Sequence, residues 1–228
     1  MKYIGVFCGS SMGVNPVYRK QAALLGKEMA RAGMDLIFGG GNIGLMRIIA
    51  DEMLKHQRQV IGIMPHFLAA KEITHFNVTE MLLVDDMHQR KQQMIARSDA
   101  FIAMPGGFGT LDEISEVLTG YQLNSINKPL ALYNIHNYFD HFFYFLDTMV
   151  AEGFLRKEHR HNIIVEDNPE KLIDKLLHFH PVEVPHQWVK ELIEHTEHCV
   201  RRRNADDAVT YSYAQAADSG QLTTKQEI

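Results

Sequence analysis

The stretch Ala100-Phe101-Ile102-Ala103-Met104-Pro105-Gly106-Gly107-Phe108-Gly109-Thr110-Leu111-Asp112-Glu113 decides the fold. Its first five residues are apolar and fit one short buried strand, Ala100–Met104. A proline and the glycines behind it break that strand, and a helical pattern runs from Thr110 to about Gln122. Strand, glycine turn and helix in that order make one half of a βαβ unit, and the same order recurs in both directions along the chain. Upstream, strands are predicted at Tyr3–Cys8, Asp35–Phe38, Gln59–Met64 and Glu80–Val84. Helices between them run from Pro16 to about Ala32, from Gly44 to about His56, and over Met87–Ser98. Downstream follow strand Pro129–Tyr133, helix Tyr138–Glu152, strand Asn162–Val165 and helix Pro169–Phe179. Asn15-Pro16 supplies a cap and a proline for a first helical turn, and residues 66–79 have no period and form a long loop. Such alternation predicts an α/β protein: a doubly wound, mostly parallel sheet with helices on both faces. In such sheets ligands bind beyond the carboxyl ends of the strands, where every glycine-rich turn of this chain falls.

Beyond His180 the composition changes. Pro181 and Pro185 flank a short linker, residues 186–203 form one further helix, and 204–228 are polar and rich in Ala, Ser, Thr and Gln. The chain therefore divides into a domain over 1–182 and a C-terminal helix with a loosely ordered tail over 183–228. Of the 228 residues, 46% are hydrophobic and 22% charged, which suits a packed core and excludes a disordered chain. The net charge of −5 opposes a broad nucleic-acid surface, and no apolar run is long enough to span a bilayer. The N-terminus breaks into Gly and Ser before an apolar signal core develops. Two distant cysteines, Cys8 and Cys199, exclude a disulfide framework and point to the cytoplasm.

Three segments carry the chemistry. Gly39-x-Gly41-x-x-Gly44 follows a strand and opens a helix, the spacing of a dinucleotide fingerprint. It lies in the second βα unit, however, and the next strand ends in Met64-Pro65 without an acidic residue for a ribose hydroxyl. A close-packed turn and a nucleotide-contacting turn of another kind both stay open. Pro105–Glu113 is more specific. Glycines let a ligand approach the backbone, and a helix start at Thr110 would offer unpaired N–H groups to a phosphate. Thr110-x-x-Glu113 also has the spacing of a capping box, in which Glu113 would fold back on its own helix start. Met87-His88-Gln89-Arg90-Lys91 opens the preceding helix at the same sheet edge, and its two cations suit either a solvated face or a phosphate or carboxylate partner.

Val6-Phe7-Cys8-Gly9-Ser10-Ser11, the turn Gly39–Met46, and the paired segments Met87–Lys91 and Pro105–Glu113 together resemble the LOG (Lonely Guy) family of cytokinin-activating phosphoribohydrolases. The likeness runs over about residues 1–180, and its signature is Pro-Gly-Gly-x-Gly-Thr-x-x-Glu. It implies a Rossmann-like fold, a homodimer, no cofactor, and a small nucleotide as partner. The implied reaction is hydrolysis of the N-glycosidic bond of a nucleoside 5′-monophosphate, AMP or an N6-modified AMP, to free base and ribose 5-phosphate. By resemblance the catalytic residues are Arg90 and Glu113. Lys91 and the loop Gly107, Phe108, Gly109, Thr110, Leu111, Asp112 would contact the nucleotide, with Glu72 and Thr119 as further contacts. Two positions depart from the family: Arg47 stands where a glycine is usual, and Gly120 stands where Thr119 is usually followed by tryptophan.

The residue types agree with that chemistry. Cleaving an N-glycosidic bond builds positive charge on the ribose, which a carboxylate beneath it stabilises while activating water. Glu113 fits this role, with Arg90 orienting it. A non-catalytic nucleotide carrier on the same fold is the alternative. Lysine decarboxylation would need a lysine set up for a pyridoxal Schiff base, and none has such a setting. The 13 histidines form no His-Glu-x-x-His or Cys-x-x-Cys pattern, so no metal site is assigned. Cys8, at a strand end, is read as a small buried residue.

Overall fold

Seven apolar runs pair into a single parallel sheet: β1 (Tyr3–Phe7), β2 (Asp35–Phe38), β3 (Val60–Pro65), β4 (Glu80–Val84), β5 (Ala100–Ala103), β6 (Leu130–Tyr133) and β7 (Ile163–Glu166). The computed structural model describes residues 1–71 and 74–182. Strand order is β4-β3-β2-β1-β5-β6-β7, with every pairing parallel. All residues of β2, β3, β5 and β6 are buried, as expected for strands covered on both faces, and the edge strand β4 is largely half-buried.

Successive side chains of each strand enter opposite cores. Ile4, Val6, Leu36, Phe38, Ala100 and Ile102 pack with helices α1 (Val17–Arg31), α2 (Gly44–Lys55) and α8 (Pro169–Leu177). Phe7, Ile37, Phe101 and Ala103 pack with α4 (Met87–Arg97), α5 (Phe108–Gln122) and α6 (Asp140–Ala151). Among the described residues two further α-helices, α3 (His66–Ala69) and α7 (Lys157–His161), are about one turn each. Caps fix the starts: Asp86 Oδ1 accepts from the Gln89 N–H at 2.8 Å, and Asn168 Oδ1 accepts from the Lys171 N–H at 3.0 Å.

Two local expectations are corrected. Residues 66–79 are not all loop, because Pro65 leads into α3 and Thr74 forms an isolated antiparallel bridge with Gly41. One helical turn is too short to show a period. The signature helix α5 begins at Phe108, two residues earlier than expected, with Gly107 as its N-cap. Glycine residues in a first turn hide a helix start from any reading based on apolar spacing. The predicted helix 186–203 and the segment 183–228 lie outside the described residues. Val182 is clasped by Asn162, whose Nδ2 donates to the Val182 carbonyl at 3.0 Å while Oδ1 accepts from its N–H at 2.7 Å.

From β1 the chain winds outward through β2, β3 and β4, then crosses to β5 on the other side of β1. The carboxyl ends of β1 and β5 therefore flank the topological switch point, where such sheets open a crevice.

Candidate active site

Three turns meet at that switch point. The Gly9 N–H after β1 donates to the Pro105 carbonyl after β5 at 3.0 Å, and the Gly9 carbonyl accepts from the Leu45 N–H at the start of α2 at 3.0 Å. Gly44 has φ +60°, and a Cβ there would run into the backbone of Ser10 and Ser11. A cavity of about 330 Å³ opens against this junction, lined by Ser10, Ser11, Tyr18, Gly106, Gly107 and Tyr138. Tyr138 closes one wall and donates its hydroxyl proton to the Gly106 carbonyl at 2.6 Å.

The glycines of the two motifs serve different ends. In the Gly39–Gly44 turn each one answers a protein contact: a Cβ at Gly39 would collide with the Arg90 guanidinium, at Gly41 with Met46, and at Gly44 with Ser10. The close-packed turn is thus the reading the structure supports. Gly106 is likewise required by Thr110 and by the Gly9 N–H. At Gly107 and Gly109 a Cβ would meet nothing within 4 Å, and neither has a positive φ. Among the described glycines only these two lack both reasons to be glycine. Their bareness leaves the first turn of α5, with its unpaired N–H groups, open to close approach.

The capping box is absent. Thr110 lies inside α5, and Thr110 and Glu113, three residues apart, are both buried on one side of the helix. Glu113 faces Arg90 from α4, with 3.5 Å between Oε1 and Nη1. Arg90 extends over Gly39, just past β2, and donates from Nε to the Ile63 carbonyl of β3 at 3.2 Å, so two neighbouring strands contribute to its seat. Burial pushes the Glu113 carboxyl up to about 7, and the Arg90 charge limits the rise. A carboxylate poised near neutrality beside a fixed guanidinium suits proton transfer or charge stabilisation at a reacting centre.

The remaining predicted residues are divided. Lys91 does not join Arg90. It is tied to Asp112 at 2.9 Å and Glu116 at 2.8 Å, and those two carboxylates hold its ammonium above the usual lysine range. Lys91, Asp112 and Thr119 line a second, more open cavity of about 410 Å³ between α4 and α5. Phe108 is 92% exposed at the helix start, and Leu111 packs into the α4–α6 core. Glu72 lies outside the described residues. Gly120, where the family has tryptophan, leaves no vacancy: the chain after α5 folds back and Ile126 fills the space against it. Arg47 is paired along α2 with Asp51 at 3.3 Å.

Sequence reasoning missed Tyr18, Tyr138 and the role of Gly39. No local signal marks the tyrosines, which reach the cavity only through the fold. Gly39 carried a signal, three consecutive glycines at a strand end, whose reason appears once Arg90 lies across it. Cys8 is buried, and burial followed by the neighbouring Glu113 charge pushes its thiol far above the usual range, which makes a poor nucleophile. Among the described residues no group of three or more His, Cys, Asp or Glu could hold a metal.

The sheet order, the crevice and the buried Arg–Glu pair define an α/β protein of the small-ligand-binding, Rossmann-like class. Residues 46–176 match the family model described as possible lysine decarboxylase. A probable cytokinin riboside 5′-monophosphate phosphoribohydrolase of Oryza sativa subsp. japonica is 44% identical over 176 residues, 77% of this chain and 72% of that one. A cytokinin riboside 5′-monophosphate phosphoribohydrolase of Arabidopsis thaliana is 44% identical over 180 residues, 79% and 84% of the two chains. Among solved structures, a molybdenum cofactor binding protein of Rippkaea orientalis superposes with TM-score 0.58 at 24% identity, covering 76% of this chain and 93% of that one, a likeness of fold. The chain belongs to the LOG family, whose model carries the decarboxylase description.

Proposed function

We propose that this protein is a nucleoside 5′-monophosphate phosphoribohydrolase, acting on AMP or an N6-modified AMP of the cytokinin type. The observation that carries the reading is the buried Arg90–Glu113 pair set beside a helix start whose glycines, Gly107 and Gly109, have no use within the protein. The 5′-phosphate sits on the first-turn N–H groups of α5, where the helix dipole favours an anion. The ribose then lies toward Glu113. As the bond from C1′ to the base nitrogen breaks, its electron pair leaves with the base, and the ionised carboxylate stabilises the positive charge on the sugar. Water adds its oxygen to C1′, Glu113 accepts one of its protons, and the base nitrogen takes up a proton as it departs. Arg90 fixes the carboxylate and keeps it from drifting to the protonated form. Lys91, Asp112 and Thr119 stand as rim contacts for the nucleotide, Phe108 as a surface contact at the phosphate, and Leu111 acts through the packing of α5.

Similarity to relatives named as phosphoribohydrolases supports this over decarboxylation, as does the state of Lys91, held protonated by two carboxylates and so unsuited to a Schiff base. A homodimer comes with the family resemblance, and a cytoplasmic location with the two distant cysteines. No helix among the described residues is long and apolar enough to cross a membrane. The cofactor-binding protein of similar fold makes a non-catalytic carrier the competing reading. Incubation with AMP and with an N6-substituted AMP, followed by chromatography, separates the two. Release of free base with ribose 5-phosphate is expected, and tight binding without base release would establish the carrier instead.

A further inference from the structure

The turn that Arg90 lies against is gripped by a second group. His75 is 2% exposed, and its main-chain N–H donates to the Gly40 carbonyl at 2.9 Å. Its Nε2 is 2.9 Å from Asp51 Oδ1, and because an ionised carboxylate only accepts, Nε2 carries the proton. Asp51 stands on α2 with its side chain about half exposed, and its Oδ2 is the oxygen paired with Arg47. Thr74, one residue before, bridges Gly41. So Gly40 and Gly41 are both held by the Thr74–His75 segment, which is anchored in turn to α2. Gly39, beside them, is where the Arg90 guanidinium packs.

The imidazole is not there as filler. It meets Phe38 edge-on with 6.5 Å between ring centroids, a contact that a phenyl ring would make equally well. Its Nδ1 is buried without a partner, a cost that a phenyl ring would avoid. What a phenyl ring lacks is the bond to Asp51. We propose that His75, oriented by Asp51, is a positioning residue for the reaction: it fixes the Gly39–Gly41 turn and thereby the Arg90 guanidinium that faces Glu113. The inference rests on the function proposed above.

The test uses the full-length chain, AMP as substrate, and the variants His75→Ala, His75→Gln and Asp51→Ala. His75→Ala lowers kcat by about tenfold with a smaller change in KM, the size of effect a displaced catalytic group produces. The ascending limb of its pH profile moves to higher pH, because Glu113 loses part of the Arg90 charge. Glu113 also faces Lys91, Asp112, Glu116 and Cys8, which these variants leave in place. His75→Gln, whose amide can still donate to Asp51, recovers most of the rate. A folded His75→Ala protein with the wild-type kcat and pH limb overturns the proposal, as does loss of rate without any shift of the limb. Should His75→Ala fail to fold, Asp51→Ala, at a half-exposed helix position, decides alone: a fall in kcat with a shifted limb supports the proposal and wild-type behaviour overturns it. If the wild-type chain releases no base from AMP, the N6-substituted AMP replaces it as substrate, and if neither yields base the function fails separately. The grip is then judged by hydrogen exchange at the residue 75 amide, which must quicken in Asp51→Ala while strand amides stay protected. Unchanged exchange overturns the grip itself.

Discussion

At Glu113 two influences oppose each other. Burial raises its carboxyl, Arg90 lowers it, and the result near 7 means that a small change in either alters the ionised fraction. The proposed reaction needs the carboxylate, so kcat/KM rises with pH through about 7 and then levels. Glu113→Gln removes that limb and lowers base release by about 10²–10⁴-fold while AMP binding persists. Wild-type turnover in this variant, or a flat wild-type profile across pH 5–9 (a span of about two units on either side), would remove Glu113 from the chemistry. The same shift has a sign in stability. The folded chain holds this proton up to about 7, whereas the unfolded chain releases it near 4.5. Stability therefore falls as pH rises between those values, by at most about 3 kcal/mol, and is flat above them. Thermal unfolding of Glu113→Gln beside wild type at pH 5, near the lower end of the window, and at pH 8, about one unit above it, checks it, the variant gaining at the higher pH. Both Arg90 and Glu113 were legible in the sequence as types at motif positions. That Arg90 orients Glu113 was expected with the resemblance; the distance and burial of the pair were not legible, because 22 residues lie between them in the chain and only the packing of α4 beside α5 closes the gap.

The element that sets the site is α5. Its start at Phe108, with Gly107 as N-cap, puts Thr110 inside the first turn instead of at the cap, and Thr110 and Glu113, three residues apart, then share a buried face. Sequence spacing alone left both arrangements open, since Thr-x-x-Glu suits a cap and an inner face equally. At the other end of α5 the structure accounts for a family departure. Ile126 occupies the space beside Gly120, so placing tryptophan there overpacks the turn. Gly120→Trp is expected to cost about 1–3 kcal/mol in denaturant unfolding, and adding Ile126→Ala to the same chain returns part of that loss. Strict additivity of the two changes would show that the residues do not share the space. Neither position could be assessed from sequence, because the return of the chain after α5 is a property of the loop and not of the motif.

Over the whole molecule, charge and topology act at different ranges. Residues 1–182 carry 18 basic and 20 acidic side chains, and 183–228 carry 5 and 8, so most of the negative excess lies outside the sheet domain. In the proposed reaction, attraction for a mononucleotide would then be a local matter of a helix start and one buried guanidinium, not of net charge. A chain ending at Val182, where Asn162 clasps the backbone, is expected to keep its base release and a melting temperature within about 2 °C of the full chain. Loss of activity or a lower melting temperature would show that 183–228 contributes to the fold or the site. The alternation of seven apolar runs with helical patterns determined the parallel α/β sheet, because periods of 2 and 3.6 are written into the chain residue by residue. The glycine signature determined where a ligand would approach. What only the tertiary structure decided is which groups share that place: Arg90 laid across Gly39 and facing Glu113, Lys91 drawn away to Asp112 and Glu116, and His75 set under the turn by Asp51. Such contacts join residues far apart in the chain, and their distances depend on how the helices pack on the sheet, which no local pattern encodes.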